Sequence, residues 1–308
     1  MYGTRVANCS FVAIFLTLLL LPQACFAVRH IRITSCPYTA NVAGAVYTVA
    51  QNMDGHGNCI DIAAPRVTLN VNGKIVSGGI GIYVESAAKD AHLFGPGTVW
   101  GGITDKGDFA VIKGLSLEGD VGYGLLILGA KGTVAQGNDI NGAVGVDLRA
   151  SEKCTIDHNK IRAWSGGEYS PAYDIWIDAA AAKGQSKNNV ITNNNVNSNG
   201  ALDGASGGIL VGDSFDSSGN CAPGQFPVEG TIIENNQANM HSGWGVPGFG
   251  ISLGCQNDSA HSIVKHNVAK NNGALYAPAF DAYDGNSKCG SNKWEDDTFK
   301  VTNQTCVK

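Results

Sequence analysis

The feature that most restricts this chain is a short apolar motif that returns at a spacing near 21 or 22 residues. It reads Cys59-Ile60-Asp61-Ile62, Gly81-Ile82-Tyr83-Val84, Gly124-Leu125-Leu126-Ile127 and Gly145-Val146-Asp147-Leu148. It continues as Asp174-Ile175-Trp176-Ile177, Gly208-Ile209-Leu210-Val211 and Gly250-Ile251-Ser252-Leu253, with a degenerate last copy at Asp281-Ala282-Tyr283. Between first apolar residues the steps are 22, 43, 21, 29, 34, 42 and 31. The step of 43 reads as two units, and the later steps as units lengthened by insertions. Alternating apolar residues over so short a run indicate a strand with one buried face. A fixed period of this size marks a solenoid, in which no coil can bury its inner face without the next.

A second set runs out of phase with the first. Asn138, Asn159, Asn194, Asn236 and Asn267 each follow a short β-like stretch and sit just before another apolar position. One Asn per coil at one phase predicts a stacked ladder inside a turn, where amides satisfy the backbone and one another. His158 and His266 stand one residue before the ladder, where other coils carry Asn193 and Asn235, so turn packing accounts for both. Cys154 falls on the inward parity of its strand, beside the equivalents Thr231 and Ser262, which makes it a core thiol and not a nucleophile. The high Gly count of 41 against 9 Pro suits short strands broken by turns, and no window has a helical period. A leucine-rich repeat would need its own Leu spacing and helical segments, and a β-sandwich would need hairpins. The prediction is an all-β, single-stranded solenoid of the right-handed parallel β-helix type, cross-linked by disulfides.

The N-terminus predicts the compartment. Arg5 precedes the apolar run Phe11 to Leu21, and Cys25-Phe26-Ala27 supplies a cleavage site. Residues 1–27 therefore read as a signal peptide and 28–308 as one β-helix domain. The run is too short to span a bilayer, which takes roughly 20 apolar residues. The expected product is secreted, extracellular or periplasmic, with no membrane span, and monomeric. The formal charge of −5, with no Lys/Arg cluster, argues against nucleic acid. An odd number of cysteines remains after the leader, and connectivity does not follow from sequence. The arrangement of nearest neighbours is Cys36–Cys59, Cys221–Cys255 and Cys289–Cys306, leaving Cys154 over.

These residues resemble secreted right-handed β-helix proteins of the pectate-lyase-like superfamily, including NosD-like and generic β-helix-repeat members. The first coils, from Cys59-Ile60-Asp61-Ile62 through Val67-Thr68-Leu69-Asn70-Val71-Asn72-Gly73 to Ile75-Val76-Ser77-Gly78, carry the resemblance. So do Gly95-Pro96-Gly97-Thr98-Val99 and the closing segment Phe280-Asp281-Ala282-Tyr283-Asp284 with Cys289, Asn292, Trp294 and Phe299. The resemblance implies the fold and a polysaccharide partner. It does not imply one activity, since the superfamily holds lyases, hydrolases, epimerases and members without a known reaction.

Stacked coils turn equivalent positions into columns about 4.8 Å apart. The column with most chemistry holds Asp147, with Arg149 two residues on, next to the coil carrying Asp174, Trp176 and Asp178. Asp147 and Asp178 are expected roughly 8 Å apart on this geometry, a separation that leaves room for an attacking water. They are the catalytic candidates for cleaving or modifying a polysaccharide. Arg149, Asp174, Trp176, Glu85 and Tyr83 are the substrate-binding candidates, Arg149 for a uronate carboxylate and Trp176 for a sugar ring. The competing reading is a surface ion-pair cluster on a non-catalytic glycan-binding or envelope protein. Trp176-Ile177-Asp178 resembles a pectate-lyase strand, but Ala179 stands where that motif has His. Asp54-Gly55-His56-Gly57 contains a triplet like that of polygalacturonases, without the accompanying Asp pair. No His spacing suits a metal. No cofactor is expected: Asp213, Asp216 and Asn220 offer oxygens to Ca²⁺, but not at the spacing of a calcium loop. Two insertions, Asp213 to Glu229 and Met240 to Phe249, are expected to wall a binding surface, with Trp164 and Trp244 as aromatic platforms. Asn257 and Asn303 lie in glycosylation sequons.

Overall fold

A computed structural model describes residues 28–119, 122–164, 172–179, 184–197, 206–213, 228–243, 248–254, 259–274 and 279–308. The leader, Cys221, Cys255, Asp216, Asn220, Trp244 and Asn257 lie outside the described residues. Each coil passes through three parallel sheets in turn. Sheet A has 11 strands, from His30–Ile33 to Lys293–Glu295; sheet C has 6, from Met53–Gly55 to Lys160–Ala163; sheet B has 10, from Tyr38–Ala40 to Ala279–Asp284. The chain runs A, C, B and climbs one strand with every circuit. Neighbouring coils hydrogen-bond in parallel, which makes the molecule a parallel β-helix. Beyond Lys160–Ala163, sheet C continues as single bridges, Lys160 to Asn195 to Gln237 to Val268 to Thr298.

The inner column of sheet B is the repeat read from the sequence. Ile60, Ile82, Ile103, Leu125, Val146, Ile175, Ile209, Ile251 and Ala282 stand in register and are buried in one core. The step of 43 does hold two coils, and Ile103 is the hidden rung. Its strand, Ile103–Asp105, places Asp105 where the other coils have Ile62, Val84 and Ile127. A carboxyl inside the core needs a partner. Thr133 Oγ1 donates to Asp105 Oδ2 at 2.7 Å, and Gly107 N donates to Oδ1 at 3.0 Å. Burial still dominates and pushes the Asp105 carboxyl up to about 6. Cys154 is fully buried and unpaired by disulfide, and burial pushes its thiol up to about 11, the condition of an inert core group.

The asparagine ladder forms between sheets A and C. In each rung Oδ1 accepts from the Asn one coil earlier: Asn138 Nδ2 to Asn159 at 3.0 Å, Asn159 to Asn194 at 3.1 Å, Asn194 to Asn236 at 3.0 Å and Asn236 to Asn267 at 3.1 Å. The same oxygens take the backbone N–H of the preceding rung, as Asn159 N donates to Asn194 Oδ1 at 2.9 Å. The ladder has a sixth rung that is not an amide: Asn267 N and Nδ2 donate to Asp297 Oδ1 at 2.7 and 3.0 Å. The residue before each rung turns through positive φ, at Gly137, His158, Asn193, Asn235, His266 and Asp296. Apart from Gly, the residues there include the Asn, Asp and His types that adopt this conformation most readily.

Disulfides staple both ends of the stack. Cys36–Cys59 ties the first turn to the second, and Cys289–Cys306 closes the last. Structural disulfides persist in oxidising compartments, so the chain is built for the cell exterior or an equivalent space. The expected Cys221–Cys255 bond falls outside the described residues. No helix among the described residues is long and apolar enough to cross a membrane. Asn303 spends its amide inside the C-terminal cap, where Nδ2 donates to Asp284 O at 2.8 Å.

Candidate functional site on the outer face of sheet B

The strands Val144–Arg149 and Ala172–Asp178 lie side by side and pair Asp147 with Trp176 and Arg149 with Asp178. Arg149 is the centre of what they build. Its Nη2 donates to Asp147 Oδ2 at 2.6 Å and to Tyr123 Oη at 3.1 Å, and its Nε stands 3.7 Å from Asp178 Oδ2. The guanidinium carbon lies 5.5 Å from the Tyr123 ring centre and 5.7 Å from that of Trp176. Arg149 is thus flanked by two carboxylates and two aromatic rings while its side chain stays 27 % exposed.

Asp147 lies on the predicted column, but its side chain is fully covered. Oδ1 has no hydrogen-bond partner among the described residues. Burial raises its pKa, Arg149 opposes this and Asp178 adds to it, with the carboxyl ending at about 7. Asp178 is the carboxylate that a ligand can reach, with a side chain 16 % exposed and Oδ1 accepting from Ala179 N at 2.6 Å. The gap expected to hold a water between the two acids is filled by the Arg149 guanidinium.

The other candidates divide. Trp176 is half-buried: Nε1 donates to Gly212 O at 2.9 Å and the ring meets Tyr173 edge-on at 5.5 Å, so only part of it faces outward. Tyr83 and Glu85 lie on the same face, with Thr104 and Leu126 separating Tyr83 from Asp147 in its column, a distance of about 14 Å at the usual strand spacing. Lys106 Nζ sits 4.9 Å from the Tyr83 ring centre. Tyr83 and Glu85 extend the face and do not join the Arg149 cluster.

Asp174 lies apart from this face, contrary to the alternation. Pairing runs through Tyr173 and Ile175 but skips residue 174. Other coils carry Gly124, Gly145, Gly208 and Gly250 in its place. A Cβ at Gly145 would come within 2.3 Å of Ile161 Cγ2, which shows how little room the corner leaves. Asp174 turns into this corner, fully buried, where Oδ1 accepts from Ala163 N at 2.5 Å and Oδ2 meets His241 Nε2 at 2.8 Å. His241 Nδ1 meets Asn272 Oδ1 at 2.8 Å, and Asn272 Nδ2 donates to Asp281 Oδ1 at 3.1 Å. This Asp-His-Asn-Asp column ties three coils together, with Asn272 and Asp281 in the same one and the coil of Gly208 passed over. Sequence reading missed His241 because its partner is 67 residues away, although the exchange of Gly for Asp at 174 and 281 marked the column.

On the C-terminal part of the face, Tyr173, Leu210 and Phe249 form a second apolar cluster that Trp176 and Tyr283 pack against. The remaining outward column of sheet B runs from Thr39 and Asp61 through Tyr83, Thr104 and Leu126 to the Arg149–Trp176 cluster. No group of His, Cys, Asp and Glu among the described residues is arranged to hold a metal ion.

Fold and site together define an extracytoplasmic parallel β-helix protein with one polar, aromatic-flanked sheet face. The chain belongs to the family described as right handed beta helix region, whose model matches residues 101–306. The right-handed parallel β-helix expected from the sequence is the fold observed. No curated protein matches the chain. Among solved structures it is similar to the polygalacturonase from Erwinia carotovora, with 10% identity over 91% of this chain and 96% of that one at a TM-score of 0.48. It is also similar to the Dettilon tailspike protein, at 11% identity, 86% coverage and a TM-score of 0.47. The tailspike protein of E. coli bacteriophage HK620 in complex with pentasaccharide gives 13% identity, 83% coverage and a TM-score of 0.47. The present chain spans 60% of the first tailspike and 53% of the second.

Proposed function

We propose that this protein binds a polysaccharide along the outer face of sheet B and acts on it at the Arg149 cluster. The observation that carries the proposal is a partly exposed arginine held between two carboxylates and two aromatic rings on the outer face of sheet B. A guanidinium pairs with carboxylates in a planar, two-pronged geometry, so the favoured ligand is an acidic glycan. Its carboxylate competes with Asp147 for Arg149. Once Arg149 is taken, Asp147 loses the contact that holds its carboxyl down, and its pKa rises above about 7. It then stands protonated at neutral pH, as a general acid must, with Asp178 as the reachable base.

A second reading is favoured by the full burial of Asp147. If Arg149 stays in place, no ligand touches Asp147, and the same face binds a glycan without turnover. The test is mature protein against pectins, alginates and neutral glycans, reading unsaturated products in the ultraviolet together with reducing ends. The catalytic reading expects product from the wild type and loss of turnover by about 100-fold or more in D147N and D178N, the scale of a lost acid or base. Binding without product on every polymer selects the second reading. Unchanged turnover in both variants removes the catalytic roles of the two acids.

A further inference from the structure

Six large apolar side chains are exposed among the described residues, and two of them, Trp100 and Trp164, line the same cleft. It lies on the outer side of sheet C, holds about 290 Å³ and is completed by Glu118 and Gly119. Trp100 ends the strand Thr98–Trp100, Glu118 stands beside it in register, and Asn141 and Arg162 follow on the next two strands. Trp164 comes two residues after Arg162 and is anchored by its own N–H, which donates to Gly142 O at 2.9 Å. At Gly119 a Cβ would come within 2.3 Å of Tyr123 O, so the floor next to Glu118 is kept bare.

The walls and floor differ in chemistry. Lys74 Nζ lies 4.2 Å from the Trp100 ring centre and fixes that indole from one side. Trp100 and Trp164 are 43 % and 42 % exposed, a large apolar area to leave in water at one place. Glu118 Oε1 accepts from Asn141 Nδ2 at 3.1 Å, which holds the carboxylate on the cleft floor. A pyranose ring has a flat C–H face and an edge of hydroxyls. Indoles cover the first and a fixed carboxylate accepts from the second. The negative charge of Glu118 disfavours a uronate and favours a neutral sugar.

We infer that the Trp100–Trp164 cleft is a binding site for a neutral pyranose unit of a glycan, separate from the Arg149 face and independent of any reaction there. The experiment titrates intact protein with cellohexaose, xylohexaose and mannohexaose by protein-detected NMR and tryptophan fluorescence, for wild type, W100A, W164A, E118Q and R149A. Both tryptophans and Glu118 are at the surface, and a far-ultraviolet spectrum confirms that each variant keeps the β-helix. The inference expects at least one hexaose to bind the wild type and R149A alike. W100A and W164A should each weaken binding about 10-fold, or about 1.4 kcal/mol, and E118Q by a smaller factor. No binding by any of the three hexaoses overturns it. So does binding that R149A abolishes and W100A spares, which would assign the sugar to sheet B. Sedimentation showing a dimer that W100A dissociates would assign the cleft to a second copy of the chain and overturn it equally.

Discussion

Asp297 shows how one side chain can set a local pH dependence. It ends a ladder of amides, and its Oδ2 is buried without a hydrogen-bond partner among the described residues. In the rungs above, the equivalent atom is Nδ2, which donates to carbonyls such as Ile233 O from Asn267 at 2.9 Å. Burial accordingly raises the Asp297 carboxyl to about 6. A carboxyl raised on folding stabilises the native state below its unfolded pKa, and that contribution is lost as pH rises through about 6. D297N should therefore raise Tm at pH 8, by an amount on the order of 1–3 kcal/mol of relieved desolvation, and make little difference at pH 4.5. Thermal melts of both proteins at the two pH values check this. A variant less stable than wild type at pH 8 would mean that the carboxylate is an asset. The sequence showed five rungs and not the sixth, because Asp at 297 broke the residue pattern while keeping its acceptor. Asp105 hid a coil in the same way: a polar residue at an inward position breaks the alternation, and Thr133, its partner, is 28 residues away.

The ladder and the sheet B core are the elements that make neighbouring coils interdependent. Asn194 accepts from Asn159 N and Nδ2 and donates to Ile156 O and Asn236 Oδ1. N194A leaves several of these groups buried without partners, each costing about 1–3 kcal/mol. It should lower the urea midpoint more than N138A, because Asn138 ends the ladder and its Oδ1 accepts from Leu115 N without a second amide donor among the described residues. Equal losses would show that the ladder bonds do not act as a connected column. At Gly145 the strand meets Ile161 closely, and G145A is expected to cost about 1–3 kcal/mol by overpacking, measurable in the same denaturation series. These elements were legible because the period repeats. The corner column of Asp174, His241, Asn272 and Asp281 was not, since insertions of different length carry its members out of phase. Local departure from the pleat at Asp174 then put the residue on the other side of the sheet from the one that alternation gave it.

For the whole molecule, the raised carboxyls act in one direction. Asp105 at about 6, Asp147 at about 7 and Asp297 at about 6 each favour the folded state more as pH falls from 8 towards 5. Asp105 alone contributes on the order of 1 kcal/mol across that change, because the folded chain takes up a proton there that the unfolded chain binds only in stronger acid. Glu152 and Asp157, held below the usual carboxylate range by hydrogen bonds from their neighbours, act the other way only in stronger acid. Wild-type Tm is thus expected to be higher near pH 5 than at pH 8, and a monotonic fall below pH 8 would contradict the burial of these groups. The architecture was legible in the sequence, and so was the neighbourhood of Asp147, Arg149, Trp176 and Asp178. The covering of Asp147 was not, because columns give positions on a sheet and not which side chain lies over which.

The most direct test of the functional account is calorimetric titration of the intact protein with hexameric oligogalacturonate and oligomannuronate at pH 7, for wild type and R149M. Arg149 as the ligand's counter-ion predicts binding of at least one oligouronate by the wild type and a loss of about 10-fold or more in R149M, on the scale of a charge-assisted hydrogen bond. Equal affinity in both proteins, or no heat from either ligand with the wild type, would contradict it.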